Sequence, residues 1–98
     1  MSTYKKIEAV RKAGEVLKYL SSQKDAVTGA ELAKAVNLPM GTVMCHLVTL
    51  EELGFVQRIG DGYRLGMGLA LMWARVKSGL EGERVRVERD LGEIEMQG

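Results

Sequence analysis

Residues 38–55, LPMGTVMCHLVTLEELGF, decide the fold. Pro39 suits the start of a helix, where its missing N–H costs nothing. Gly54 is a common residue at the point where a helix stops. The spacing between them predicts a helix from about residue 40 to Leu53. At about 100° per residue, Val43, Leu47 and Leu50 fall within about 60° of one another and form its buried face. Opposite them lie Gly41, Cys45, Val48 and Glu52, flanked by Met44 on one side and by Thr42 and Thr49 on the other. His46 falls beside the buried stripe. Between Leu38 and Leu50 there is no Lys, Arg, Asp or Glu, so the outward face is almost uncharged.

Working upstream, Thr28-Gly29-Ala30-Glu31 is a capping box. The Thr hydroxyl can accept from the backbone N–H of Glu31, and the Glu side chain can reach back. A short helix burying Leu32, Ala33 and Val36 follows and stops at Asn37. Only Asn37-Leu38 separates it from the next helix, a link tight enough for a helix-turn-helix. Further upstream, Ile7, Val10, Ala13, Leu17 and Leu20 recur at three- and four-residue spacing. They predict an amphipathic helix over 4–21 with Lys5, Lys6, Lys12 and Lys18 on its wet side.

Working downstream, Phe55–Ile59 reads as a strand, Gly60-Asp61-Gly62 as a tight turn and Tyr63-Arg64-Leu65 as the returning strand of a hairpin. Three helices followed by a hairpin is the winged helix-turn-helix order. The fold class expected is therefore mainly α with a small β-hairpin, residues 1–66 forming the winged unit. Residues 67–98 form a C-terminal helical segment. In it Leu69, Met72, Trp73, Val76 and Leu80 make one apolar stripe, which Gly79 and Gly82 weaken. Val87, Leu91 and Ile94 begin another. A helix placed after a finished wing has little core left to cover, so Leu69, Met72, Trp73, Val76, Leu80, Val87 and Leu91 are expected to bury against a second chain.

Composition narrows the function classes. Ninety-eight residues, 46% of them hydrophobic, make one small folded domain with an aliphatic core. Cys45 is the only cysteine, which rules out an intrachain disulfide. The first twenty residues lack the unbroken apolar run of a signal peptide or membrane span, so a cytoplasmic location without membrane contact is expected. Net charge is +1, distributed unevenly: residues 1–80 carry +4 and residues 81–98 carry −3. A mildly basic body with an acidic tail is compatible with nucleic acid on one side and a partner chain on the other. No cofactor or metal is expected. Cys45 and His46 diverge by about 100° on a helix, which argues against a Cys–His nucleophile. The glycines of GDGYRLGMG sit in a hairpin and do not match a dinucleotide fingerprint. An enzyme is not expected.

If this helix enters a DNA groove, it does so without the Arg–guanine or Asn–adenine pairs that carry most direct readout. It offers Thr hydroxyls, apolar contact with thymine methyls and, at Gly41, close backbone approach. Met40, Gly41, Thr42, Met44, Cys45 and Thr49 are the candidate base-reading residues. Charge must come from neighbours, and Thr28, Lys34, Arg58 and Arg64 are the candidate contacts to the sugar-phosphate backbone. Lys5, Lys6, Arg11 and Lys12 on the first helix are weaker candidates. An alternative reading takes Met40, Met44 and Val48, at i, i+4 and i+8, as an apolar ridge that docks a protein partner.

Leu38-Pro39, Thr42-Val43, Thr49-Leu50-Glu51-Glu52-Leu53-Gly54-Phe55-Val56 and Gly62-Tyr63-Arg64-Leu65-Gly66 together resemble the N-terminal DNA-binding domain of IclR-type bacterial transcription regulators. The resemblance covers roughly residues 5–80 and, weakly, 84–96, which are similar to the family's linker helix. It implies a dimeric winged-helix module with the helix at 40–53 in the major groove and the wing near the DNA backbone. The family's basic-polar start to this helix and its outward Arg are replaced here by Met40, Gly41 and Cys45, and a family Leu by His46. The effector-sensing domain that follows the linker in the family is not expected within these 98 residues. The expected function is a small homodimeric regulator that binds double-stranded DNA with sequence preference, on half-sites about 34 Å apart.

Overall fold

The computed structural model describes the backbone of residues 3–97 and the side chains of residues 3–92. Its elements are α1 (Glu8–Ser21), β1 (Val27–Thr28), α2 (Gly29–Val36), α3 (Met40–Glu52), β2 (Val56–Ile59), β3 (Gly62–Leu65) and α4 (Met67–Gln97). Within residues 8–65 three helices pack against one face of a small antiparallel sheet, and α4 leaves that body as a long arm.

Of the expected capping box, the structure shows the Thr28 half. Thr28 Oγ1 accepts from the backbone N–H of Glu31 at 3.2 Å, and α2 begins at the next residue. Asn37 ends α2 in the left-handed region (φ 54°), and the N–H of Leu38 returns to the carbonyl of Ala33 at 3.0 Å. This closed C-terminal turn satisfies carbonyls that α2 would otherwise leave bare, and it aims the chain into α3. At the far end of α3, Gly54 (φ 80°) takes the left-handed position while the Phe55 N–H bonds to the Leu50 carbonyl at 2.9 Å.

The core is the set of residues these turns bring inward. Val43, Leu47 and Leu50 of α3 are buried, as the periodicity predicts. They meet Leu32 and Val36 of α2, Val16 and Leu20 of α1, and Val27, Val56 and Tyr63 of the sheet. Each such side chain stabilises the fold by roughly 1.5–3 kcal/mol through removal from water.

Four expectations need correction. Helix α1 starts at Glu8, not Tyr4, and its buried edge is Val16 and Leu20. Ile7 and Val10 are each 66% exposed, since the buried positions of α1 lie in its C-terminal half. The sheet has three strands in the order β1-β3-β2, not two. Val27-Thr28 pairs with Tyr63 and Gly62, a contact that a glycine at 62 permits, since a Cβ there would lie 3.0 Å from that of Ala26. The hairpin turn is two residues, Gly60-Asp61, with Gly62 already in the returning strand. Finally, α4 is one unbroken helix that runs straight through Gly79 and Gly82.

Three glycines seat α4 on the body. The N–H of Gly66 bonds to the Phe55 carbonyl at 2.8 Å, and that of Gly68 to the Gly54 carbonyl at 2.9 Å. A Cβ at Gly68 would stand 2.6 Å from the Gly54 carbonyl oxygen, and one at Gly66 would strike the same atom. Beyond this seat the stripe is exposed: Met72, Trp73, Val76, Leu80, Val87 and Leu91 are 49–61% accessible, and only Leu69 is half-buried. Ile94 lies outside the described side chains. No helix among the described residues is long and apolar enough to cross a membrane.

Candidate nucleic-acid interface

The outward face of α3 is as the angular positions require. Gly41, Thr42, Cys45, Val48, Thr49 and Glu52 are all exposed, and no basic residue stands among them. The Thr49 hydroxyl donates to the carbonyl of Cys45, one turn back, at 2.8 Å. Its proton is therefore occupied, and toward a base edge it can only accept, from adenine N6 or cytosine N4. Among the described residues Thr42 makes no such bond, and it keeps both capacities.

Met40 and Met44 are placed differently from the rest. A Cβ on Gly29 would meet Met44 Sδ at 2.9 Å and Met40 Cε at 3.1 Å. Both thioethers thus lie over the first residue of α2, with Met44 half-buried and Met40 48% exposed. They tie the start of α3 to the start of α2. The ridge at 40, 44 and 48 is consequently interrupted at its middle.

Those two methionines form the floor of a cleft of about 330 Å³ whose walls are Thr28, Gly29 and Ala30 on α2 and Arg58, Gly60, Asp61 and Tyr63 on the hairpin. The N-terminus of α2, the positive end of its dipole, thus lines this cleft. Arg58 stands on the same side and has no ion pair among the described residues. Thr28 and Arg58, both expected to touch the DNA backbone, are thus brought together beside the start of α3.

Lys34 and Arg64 are not. Lys34 lies in the last turn of α2, at the opposite end of that helix from Thr28. Arg64 pairs across the hairpin with Gln57, while Arg58 pairs with Tyr63. Successive residues of a strand face opposite ways, so the two arginines lie on opposite faces of the wing. Arg64 Nε donates to Gln57 Oε1 at 3.3 Å, and both line a hollow against the first turn of α4.

The basic residues of α1 also divide. Lys12 Nζ donates to the Val36 carbonyl at the C-terminus of α2 at 2.8 Å and pairs with Glu15 at 3.2 Å. It is a cap for α2, a role with no signature in local sequence because the partners are 24 residues apart. Arg11 faces Glu8 at 3.7 Å. On this flank α1 and α3 leave an apolar groove of about 360 Å³ between Ala9, Val10 and Ala13 and Cys45, His46, Thr49 and Leu50. Cys45 and His46 both line it, with no acid or third ligand beside them. Among the described residues no three His, Cys, Asp or Glu side chains converge on a metal-sized site.

A tri-helical body whose second and third helices meet at a tight turn, followed by a hairpin beside the third, is a winged helix-turn-helix. The chain belongs to the IclR helix-turn-helix domain family, whose family model matches residues 9–60. That family is one of DNA-binding domains of transcription regulators. Among solved structures, the fold is similar to that of the Agobacterium tumefaciens repressor BlcR, with a TM-score of 0.61 and 30% identity over 70% of this chain. The chain spans 28% of the length of that BlcR chain. Comparison with curated proteins found no match.

Proposed function

We propose that this chain binds double-stranded DNA with sequence preference as a homodimeric cytoplasmic regulator, and that α3 enters the major groove of a roughly two-fold operator. The observation that carries the reading is the convergence of Thr28, the N-terminus of α2 and Arg58, which has no ion pair among the described residues, on one cleft flanking the uncharged face of α3. Phosphate held in that cleft supplies the grip that α3 lacks. Base contact then falls to Gly41, Thr42, Cys45 and Thr49, through hydroxyls and thymine methyls. Met40 and Met44 support α3 from behind. The exposed stripe on α4, with Ile7 just before α1 and Val10 on it, supports pairing with a second copy.

The alternative, docking of a protein through α3, rests on Met40 and Val48 once Met44 is occupied over Gly29. Binding of duplex DNA from a randomised pool, followed across a salt series, separates the two. The regulator gives a recovered consensus and a log–log slope for about four or more phosphate contacts per dimer. Absence of binding at low salt sinks it. Arg58→Ala should reduce affinity for all sequences alike and lower the slope by about one contact per protomer, whereas Arg64→Ala should have the smaller effect.

A further inference from the structure

Helix α4 is a 31-residue helix whose apolar stripe is exposed beyond its seat on the body. At about 100° per residue, Trp73, Val76, Leu80, Val87 and Leu91 fall within about 60° of one another. One face of the helix therefore carries apolar side chains along about five turns, with Glu83 and Arg84 at its edges between Leu80 and Val87. Such a face needs cover, because helices draw most of their stability from packing and this one carries glycines in its interior.

Two features of the sequence decide how it is covered. Charge is segregated along the arm: residues 67–80 contain Arg75 and Lys77 and no acid, while residues 81–97 contain six acids and three arginines. Alongside the stripe, Lys77, Glu81, Arg84 and Glu88 share one flank, within about 60°. Within the chain they already stand as two pairs, Lys77–Glu81 at 4.0 Å and Arg84–Glu88 at 3.6 Å. Read backwards, this flank is the charge complement of itself. When two copies run antiparallel, like flanks face each other. Lys77 then meets Glu88 of the second copy, and Glu81 meets its Arg84.

The apolar spacing has the same property. An axis near Glu83 places Leu80 opposite Val87 of the second copy and Val76 opposite its Leu91. Parallel pairing would instead set each acidic C-terminal half against its twin. We infer that two copies of this chain associate through antiparallel α4 helices about a two-fold axis near Glu83. This inference rests on the dimer reading above and gives that dimer its orientation.

Cysteine cross-linking tests it, in the full chain with Cys45→Ser to remove the native thiol. Val76→Cys, Leu91→Cys and the double variant are oxidised separately, and sedimentation of each reduced protein gives its oligomeric state. All three positions changed are exposed, so folding is not at issue. Within one chain residues 76 and 91 are about 22 Å apart along the helix, too far for a disulfide. The expected result is a disulfide-linked dimer from the double variant and none from either single one. Self-linked dimers of the single variants would overturn the antiparallel arrangement in favour of a parallel one. A sedimenting dimer that never cross-links would overturn pairing through α4 while leaving the dimer intact. A monomer at all concentrations would remove the dimer reading itself, and this inference with it.

Discussion

Lys12 shows how far a residue's local setting can differ from its tertiary one. In sequence it sits in a run of basic residues that reads as a wet helix face. In the structure its ammonium closes the C-terminus of α2 at 2.8 Å from the Val36 carbonyl. A cation there satisfies an orphan carbonyl and opposes the negative end of the helix dipole. Lys12→Ala should therefore lower stability by about 1–2 kcal/mol, read as a shift of the urea midpoint at constant m-value. Lys5→Ala and Lys6→Ala, outside α1, should leave the midpoint unchanged. The methionines teach the same lesson. Met44 belongs to the α3 face by angle alone, but a glycine at position 29 opens a seat for its sulfur on α2. Specificity is therefore tested better at Thr42 and Cys45, which remain exposed.

At the scale of elements, turns and caps were the most legible features. The Thr28 capping box, Asn37 and Gly54 act on neighbours within a few residues, and their chemistry is written beside them. Strand β1 was not legible, since two residues carry no period and their partners, Tyr63 and Gly62, lie 36 and 34 positions away. The extent of α1's buried face was also not legible, because it depends on where α2 and β3 stop. Helix α4 contains glycines of opposite kinds. Gly68 abuts the Gly54 carbonyl, whereas a Cβ at Gly82 would meet nothing. Gly82→Ala should stabilise α4 by up to about 1 kcal/mol, seen as a gain in helical ellipticity. Gly68→Ala should instead unseat the arm and lower the melting temperature, and a neutral result would show that the seat is not a rigid contact.

For the whole molecule, a winged body of about two-thirds of the sequence carries an arm that extends the long axis to 66 Å. The body is closed by its own core, but the arm is not. A second copy that covers the stripe stabilises by mass action. Helical content and melting temperature should accordingly fall on dilution of the full chain, the loss arising from α4. Concentration-independent melting would argue against association of the arm. Charge works at the same scale: the proposed grip on DNA falls to α2 and the wing because α3 has no Lys or Arg.

The sequence by itself determined the helix-turn-helix, the buried and outward faces of α3, the hairpin and the apolar stripe of α4. Each follows from periodicity or from a cap whose partner is a few residues away. Tertiary structure decided which of the candidate contacts stand together. It put Arg58 beside Thr28 and turned Arg64 to the other face of the wing, gave Lys12 to α2, and drew Met40 and Met44 over Gly29. These outcomes turn on strand pairing and on close approach between elements distant in sequence. No local pattern encodes such distances, so they exist only once the core has closed.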